Sequence, residues 1–295
     1  MQPSEDGPAD ERPRPAAGPD WLAVCRRIAD GIDRMLAGYP TTADRAVEVM
    51  RGEGGDMALV IDCAAEDVIF AELDALHAAG HRFTAVSEER GHVDYGGAGP
   101  DRVRVVIDPI DGSTNAKRCM THHSVSIAVA DGPTMADVSF GYVYDFGARE
   151  EWTAVRDGGA TLNGVGLPAD IPESRTPSGR LELLAIESVD PRWVADCAPR
   201  LLDTANRLRA IGSIAISLCQ VAGGRVDGML TLWRCRAVDA AAAQLIARET
   251  GALVAFPAFD DPLGAPLDLL PHSPVVAARS PAGLAELVGV PSSGG

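Results

Sequence analysis

One stretch, about a third of the way along the chain, constrains the fold more than any other. Residues 105–107 are Val-Val-Ile, a β-branched run, and an Asp-Pro and an Asp-Gly dipeptide follow it at residues 108 and 111. β-Branched residues favour extended structure, whereas these two dipeptides favour turns. The pattern predicts a buried strand that ends at two carboxylates, with a helix beginning shortly after them.

The two carboxylates at the end of this strand suit a metal site. Asp108 and Asp111 lie three residues apart across a turn that Pro109 restricts, so both can reach one hard cation or a pair of them. Carboxylates crowded together without a cation would repel each other. The spacing therefore favours a cation site, with an ordinary acidic turn as the alternative.

The helix start that follows suits a phosphate group. Gly112, Ser113 and Thr114 stand where backbone N–H groups have no partner within the helix and the helix dipole is positive. Helix starts of this kind bind phosphate. A metal site directly beside a phosphate site indicates metal-assisted chemistry on a phosphoryl group.

Charge restricts the partners that the protein can bind. The chain has 295 residues, 46% of them hydrophobic, and a formal net charge of −16. Such an excess of acid repels nucleic-acid backbones and anionic membranes, so we expect neither as a partner. It favours cation recruitment, and we expect a small-molecule phosphate ester as the substrate.

Cysteine usage and hydropathy predict a cytoplasmic protein. The six cysteines form no Cys-x-x-Cys pair and lie mostly in apolar runs, as expected of small buried side chains in a reducing compartment. The amino terminus lacks the pattern of a secretory leader, and no apolar run approaches the ~18 residues of a membrane span.

Composition divides the chain into three parts. Residues 1–19 are rich in Pro, Gly and acids, and we expect this tail to be disordered. Residues 20–175 are predicted to form an N-terminal α+β subdomain with the metal site. Residues 176–295 are predicted to form a C-terminal α/β subdomain that completes the active site. The Gly-rich segment 94–101 is expected to be a lid or a surface loop.

Apolar spacing predicts the main elements of both subdomains. Helices are expected over residues 20–38, 44–50, 62–76, 214–221, 239–249 and 281–288. Strands are expected over residues 83–86, 105–107, 124–129, 138–144, 150–155, 160–162, 226–233, 253–256 and 275–278. Turn dipeptides between the strands of residues 124–162 indicate an antiparallel meander.

Further acids come at the ends of other predicted elements. Glu88 and Glu89 follow the strand at 83–86, and Asp239 stands in the first turn of an Ala-rich helix. Carboxylates from several strand ends and a helix start could share one metal site. For Glu88 and Glu89 the alternative is an ordinary charged loop. For Asp239 it is an acid that only complements the helix dipole. For Asp62, near the start of the helix at 62–76, it is a helix cap or a solvated side chain.

Three motifs together resemble one family. Ser87-Glu88-Glu89 is similar to Gly-Glu-Glu, residues 108–115 are similar to Asp-Pro-Leu/Ile-Asp-Gly-Thr-Thr-Asn, and residues 238–242 are similar to Trp-Asp-x-Ala-Ala. In this order and spacing they resemble the inositol monophosphatase superfamily of Mg²⁺-dependent, Li⁺-sensitive phosphatases, over residues 21–290. The resemblance implies an α/β (α+β) fold built as a layered αβαβα sandwich. Members of the family often dimerise, so a homodimer is one expectation for this chain.

The resemblance also implies a metal-dependent mechanism. Two or three Mg²⁺ ions would be held by Glu88, Asp108, the Ile110 carbonyl, Asp111 and Asp239. Gly112 and Ser113 would bind phosphate oxygens through their N–H groups. A metal-bound water held by Glu88 and Ser113 would attack phosphorus directly, without a phospho-enzyme, and Asp62 would support the metal and water network.

Substrate contacts follow from the same resemblance. They are implied for Asp111, Gly212, Ser213, Ile214, Arg234, Arg236 and Asp239. Residues 212–214 match a Gly-Thr-Ala segment that lines the sugar pocket of the family. Arg234 or Arg236 could meet a second phosphate, or these arginines could face solvent or pair with acids.

Departures from the family pattern bear on the substrate. Ser113 replaces a Thr and keeps the hydroxyl, whereas Ala116 and Val238 replace a common Phe and a common Trp. Leu232 falls where animal members carry a Glu that binds inositol hydroxyls, and a site without this polar partner discriminates hydroxyls less. Residues 57–70 and 234–239 look more like archaeal members that act on both inositol phosphate and fructose bisphosphate.

The resemblance implies a cytoplasmic Mg²⁺-dependent phosphomonoesterase for inositol monophosphate or a related polyol or sugar phosphate. Fructose 1,6-bisphosphatase, adenosine 3′,5′-bisphosphate phosphatase and histidinol-phosphatase remain open as alternatives within the same site. A different class is also open, because some family members are RNA- or ribosome-associated interaction proteins. The acidity of the chain and its intact ligand set count against that class.

Overall fold

The computed structural model describes residues 18–53, 57–96 and 103–291. The disordered tail predicted at residues 1–19 lies outside the described residues except for its last two positions. The loop predicted at residues 94–101 is described only as far as residue 96. Across these described ranges, no helix is long and apolar enough to cross a membrane.

Strands and helices are mixed along the described chain. The strands are β1 (Glu48–Arg51), β2 (Met57–Leu59), β3 (Thr84–Ser87), β4 (Gly91–Asp94), β5 (Arg104–Asp111), β6 (Ser124–Ala130), β7 (Val138–Asp145), β8 (Glu150–Val155), β9 (Gly159–Leu162), β10 (Val165–Gly166), β11 (Leu181–Glu187), β12 (Ala205–Arg209), β13 (Gly228–Thr231), β14 (Leu253–Ala255) and β15 (Val276–Ala278). The helices are α1 (Trp21–Ala37), α2 (Thr42–Arg45), α3 (Val60–Ala78), α4 (Ser113–Lys117), α5 (Pro191–Thr204), α6 (Ile214–Ala222), α7 (Ala237–Arg248) and α8 (Pro281–Val288).

The first sheet has eight strands in the order β10-β9-β8-β7-β6-β5-β3-β4. From β5 to β10, each strand is antiparallel to the next, which confirms the predicted meander. β3 and β5 are parallel neighbours, so they end at the same edge of the sheet. The turns that follow these two strands therefore come together.

The second sheet has five strands in the order β12-β11-β13-β15-β14. β11 is parallel to both β12 and β13, and β15 is antiparallel to both β13 and β14. Strands of the first sheet end by residue 166, whereas those of the second begin at residue 181. The subdomain boundary at residues 175/176 stays a prediction.

Alternation of side chains along β5 connects the layers. Val105 and Ile107 belong to the hydrophobic cluster with α1 and α3, whereas Val106 belongs to the cluster with α6 and α7, because successive strand residues face opposite sides of a sheet. Helices α6 and α7 also contact the second sheet, and α5 and α8 pack against it as well. The predicted layered αβαβα sandwich, an α/β fold, is confirmed.

Helix α7 lies between the two sheets because its side chains are small. Every residue from Ala237 to Ala247 is buried, including four consecutive alanines at 240–243. The helix contacts β5, β6 and β7 of the first sheet and β14 of the second. Alanine combines high helix propensity with a small side chain, so both sheets can approach closely. Asp239 in the first turn is therefore held firmly relative to both sheets.

The helix predicted over residues 44–50 is wrong. The structure has a short helix α2 at Thr42–Arg45, and β1 follows at Glu48–Arg51 and pairs with β2. Val47 and Val49 are β-branched and favour extended structure. The helix was predicted from the spacing of apolar residues, and that spacing does not show that β1 pairs with β2.

Most of the other predicted elements are confirmed to within a few residues. Besides β1, the sequence did not individually predict β2, β4, β10, β11, α5 or β12. All six cysteines are free, and four are buried as expected. Cys63 is instead half-buried and Cys119 is exposed.

Candidate active site

The predicted strand and turn are present at the centre of the first sheet. β5 runs from Arg104 to Asp111, and its pairing with β6 shifts register between Asp108 and Asp111. The Ile110 N–H donates to Asp108 Oδ1 over 3.1 Å. Gly112 then adopts a left-handed conformation with φ of 88°, and α4 begins.

Three acids from distant parts of the chain meet at this edge. Glu88, Asp108 and Asp239 each offer a carboxylate oxygen, and these atoms all lie within 4.8 Å of one another. Asp108 and Asp239 are buried, and Glu88 is half-buried. Glu88 comes from the turn after β3, Asp108 from β5 and Asp239 from α7. The structure therefore brings together acids from all three sequence motifs.

This acid cluster is electrostatically unfavourable on its own. Burial, and then repulsion from Glu88, Asp111 and Asp239, raises the pKa of Asp108 well above its ordinary value. Buried carboxylates this close together are costly unless a cation or proton lies among them. A set of oxygen ligands of this kind fits a hard divalent cation such as Mg²⁺.

Arg236 partly neutralises the cluster. Its Nη2 lies 2.7 Å from Glu88 Oε1 and 3.3 Å from Asp239 Oδ1, and its backbone N–H donates to Asp239 Oδ2 over 2.8 Å. The sequence left open whether Arg236 meets a second phosphate, faces solvent or pairs with acids. The structure shows that it pairs with acids. Arg234 is exposed, and its guanidinium carbon lies 5.8 Å from the centre of the Trp233 ring.

Asp111 caps helix α6. Its carboxylate accepts hydrogen bonds from the N–H groups of Ala215 over 2.9 Å and Ile214 over 3.3 Å, and from the Ser213 hydroxyl. Burial raises the pKa of Asp111 to about 7. Among the described residues, the three-acid cluster does not include Asp111. Its predicted role as a metal ligand stays a prediction.

Ser113 and Asp62 lie beside the cluster. Ser113 Oγ donates to the Ile110 carbonyl over 2.9 Å, and Asp62 Oδ2 accepts from the Leu59 N–H over 3.0 Å. Burial raises the pKa of Asp62 to about 6. Within the described part of the chain, the buried Asp62 Oδ1 has no hydrogen-bond partner. Buried acceptors normally have one, so this atom suits the water network predicted for Asp62.

Two glycines allow the turn after β5 to touch the start of α6. Gly112 and Gly212 have φ values of 88° and 87°. A Cβ on Gly112 would lie 2.9 Å from the Gly212 carbonyl oxygen and 3.0 Å from that of His122, so a larger residue would be both strained and crowded. Asn115 joins the same segments, because its Nδ2 donates to the carbonyls of His122 over 3.0 Å and Ile211 over 2.8 Å.

Glu187 is a site residue that the sequence did not reveal. It is buried at the end of β11, and its carboxylate accepts from the N–H groups of Ile211 over 2.9 Å and Gly212 over 3.0 Å and from the Ser217 hydroxyl over 2.6 Å. Burial raises the pKa of Glu187 to about 7. The sequence signal that could have identified Glu187 is an acid at the end of an apolar strand. A similar signal pointed to Glu88.

The predicted residues line one cleft of about 1050 Å³. The predicted residues in its wall are Asp62, Glu88, Asp108, Ile110, Asp111, Gly112, Ser113, Gly212, Ser213, Ile214, Arg234, Arg236 and Asp239. Trp193 and Trp233, which the sequence did not single out, line it as well. The structure brings every predicted residue to the cleft, whereas the role assigned to each stays a prediction.

The layered fold and the acid cluster define the class of protein. A model of the inositol monophosphatase family matches residues 25–289, and the chain belongs to this family. The resemblance inferred from the three motifs is confirmed.

Two curated relatives and one solved structure are similar to this chain. It is 30% identical over 243 residues to a fructose-1,6-bisphosphatase/inositol-1-monophosphatase of Methanothermobacter thermautotrophicus, with 79% of this chain and 83% of the relative covered. It is 33% identical over 238 residues to Nus factor SuhB of Escherichia coli K12, with 79% and 84% covered. A crystal structure of an inositol monophosphatase-fructose 1,6 bisphosphatase has a TM-score of 0.77 at 24% identity, with 92% of this chain and 100% of that chain covered.

Proposed function

We propose that the protein is a Mg²⁺-dependent phosphomonoesterase acting on inositol monophosphate or a related polyol or sugar phosphate. The observation that carries this proposal is the meeting of the Glu88, Asp108 and Asp239 carboxylate oxygens within 4.8 Å of one another. They line the same cleft as Gly112 and Ser113, whose N–H groups are the expected phosphate ligands. The archaeal relative, a fructose-1,6-bisphosphatase/inositol-1-monophosphatase, supports the same reaction class.

The acid cluster would hold the metal. Glu88, Asp108 and Asp239 offer oxygen ligands that Mg²⁺ prefers. When bound, divalent cations at such a site stabilise the charge that develops on the phosphoryl and leaving oxygens. The predicted number of two or three ions belongs to this proposal, as do ligation by Asp111 and the Ile110 carbonyl.

Side chains beside the cluster would orient the attacking water. Ser113 Oγ donates its proton to the Ile110 carbonyl, so its lone pairs can accept a proton of the water. Glu88 and Asp62 Oδ1 are further acceptors in the wall of the same cleft. With its protons directed at these groups, the water presents a lone pair to phosphorus. A bond forms between the water oxygen and phosphorus while the ester P–O bond breaks; one proton of the water ends on the leaving oxygen to give the alcohol, and the other stays with the phosphate product.

Release of phosphate from a panel of esters tests this function. We expect hydrolysis with Mg²⁺, loss of activity in EDTA and inhibition by Li⁺. Asp108→Asn and Asp239→Asn should each lower kcat/KM by about a hundredfold or more, because each removes part of a site that supplies several kcal/mol of charge stabilisation. Asp260→Asn, at an exposed position, is the control. Activity close to wild type in either cluster variant would contradict the proposal.

An interaction role is the second candidate, and the 33% identity to Nus factor SuhB favours it. The net charge of −16 opposes direct contact with RNA. The same phosphate-release panel separates the two classes. A metal-loaded protein that cleaves none of the esters but binds RNA in a pull-down would support the interaction role instead of the enzyme.

A further inference from the structure

A stacked aromatic pair forms part of the cleft wall. Trp193 near the start of α5 and Trp233 after β13 have ring centroids 4.8 Å apart and planes within 5° of parallel. Trp193 packs against the hydrophobic cluster of the second sheet. Both rings are half-buried and line the cleft. In a parallel pair each ring covers one face of the other, so this pair, anchored on the core, can offer a ligand its outer faces and edges.

Arg234 lies over the Trp233 ring of this pair. Its guanidinium carbon lies 5.8 Å from the centre of the Trp233 ring, and the residue is exposed at the same cleft. Indole rings and guanidinium planes both stack with the planar rings of ligands. The two tryptophans and Arg234 together form the aromatic platform.

The platform lies close to the acid cluster. Trp233 and Arg236 are three residues apart, so their Cα atoms are at most about 11 Å apart. Arg236 contacts Glu88 and Asp239 directly. A phosphate held at the cluster would therefore place the far end of a sugar-sized alcohol near the platform.

Leu232, at the position where animal members carry a hydroxyl-binding Glu, is fully buried in the core of the second sheet, so it offers a ligand no contact in the cleft. A planar aromatic ring that reaches the tryptophans gains dispersion and stacking there.

We propose that the aromatic platform is a specificity subsite for phosphate esters whose alcohol carries a planar aromatic ring, as a nucleoside does. This inference rests on the proposed function, because it names the substrate class of the same cleft. A cleft of about 1050 Å³ has room for such an alcohol. Of the substrates left open by the sequence, adenosine bisphosphate and histidinol phosphate carry an aromatic ring, whereas inositol phosphate and fructose bisphosphate do not.

Adenosine 5′-monophosphate and ribose 5-phosphate form a matched pair of probes, because they share the reacting ester and differ in the base. We expect kcat/KM to be at least about fivefold higher for the nucleotide, the lower end of what stacking of one base contributes. Trp233→Leu should bring the ratio of the two values close to one, and Trp233→Phe should keep most of it. Trp21→Leu removes a tryptophan outside the cleft and should leave both values unchanged.

The outcomes separate this inference from the proposed function. Cleavage of both esters with equal kcat/KM, or a ratio that Trp233→Leu does not change, overturns the platform and leaves the phosphatase intact. If neither ester is cleaved, the proposed function fails for these substrates. Quenching of tryptophan fluorescence by the nucleotide then tests whether the aromatic platform binds the base. Saturable quenching that is lost in Trp233→Leu but kept in Trp233→Phe and Trp21→Leu supports it. Absence of saturable quenching in the wild-type protein overturns it.

Discussion

At the scale of single residues, the site depends on groups that would be unfavourable in isolation. Asp108 is buried beside Glu88 and Asp239, and its pKa is raised well above the ordinary value by burial and repulsion. Arg236 offsets part of this repulsion through its contacts with Glu88 and Asp239. Motifs in the sequence identified the acids, but no local pattern indicated which of the two nearby arginines would turn toward them.

Arg236→Gln tests this compensation. We expect the variant to lose about 1 to 2 kcal/mol of unfolding free energy in EDTA, because a partly buried ion pair loses one partner. The loss should be smaller in Mg²⁺, since the cation supplies the missing positive charge. Urea unfolding in both buffers measures the difference. Arg192→Gln removes an ion pair whose arginine side chain is 82% exposed, and an equal loss in this control would contradict the prediction.

Gly112→Ala tests the contact between the turn after β5 and the start of α6. The left-handed conformation alone costs a larger residue about 1 to 2 kcal/mol. A Cβ at this position would also meet carbonyl oxygens at 2.9 and 3.0 Å. Gly80→Ala is a matched control, because Gly80 has φ of 100° and nothing within 4 Å of the added Cβ. We expect urea unfolding to show a clearly larger loss for Gly112→Ala, and equal losses would mean that the contact is unimportant.

At the scale of elements, the start of α6 connects the two sheets. Asp111 from the first sheet accepts the N–H groups of its first turn, and Glu187 from the second sheet accepts those of the preceding turn at Ile211 and Gly212. Two carboxylates from different layers therefore position one helix start. The sequence predicted the helix itself from its apolar spacing, but it could not show which acids would cap it.

Glu187→Gln tests this arrangement through the pH dependence of stability. The pKa of Glu187 is raised from 4.5 to about 7 in the folded protein, so the unfolded chain ionises first. Its contribution to stability is therefore complete below about pH 4.5 and declines as the pH rises through about 7. The glutamine does not titrate.

We expect the stability of the wild-type protein relative to Glu187→Gln to fall by about 1 to 3 kcal/mol between pH 5 and pH 8. Urea unfolding in EDTA at several pH values measures this difference. Glu182→Gln, at an exposed position of the same strand, should show a much smaller change. A difference that is constant with pH would contradict the raised pKa.

At the scale of the whole molecule, the cleft exists because five layers pack together. Glu88 and Asp108 come from one sheet, Glu187 comes from the other, and Asp239 comes from the helix between them. Binding of a cation to the acid cluster should therefore stabilise the packing of the first sheet against this helix. Because the metal binds only the folded protein, tighter metal binding should give a higher thermal stability.

We expect Mg²⁺ at a concentration about a hundredfold above its Kd to raise the Tm by about 5 °C or more relative to EDTA. Asp239→Asn should lose most of this shift, because it removes a ligand that comes from the central helix. Asp260→Asn should keep it. Thermal unfolding with and without the metal measures the shift, and a full shift in Asp239→Asn would show that Mg²⁺ binds elsewhere.

Local patterns in the sequence were sufficient for the β5 turn, the meander and most helices, because backbone preference and burial recur at short spacings. The three motifs were also sufficient for the family. Distances between remote segments depend instead on how the layers pack. For that reason the pairing of β1 with β2, the turn of Arg236 toward the acids, the anchoring role of Glu187 and the stacking of Trp193 on Trp233 emerged only from the folded chain.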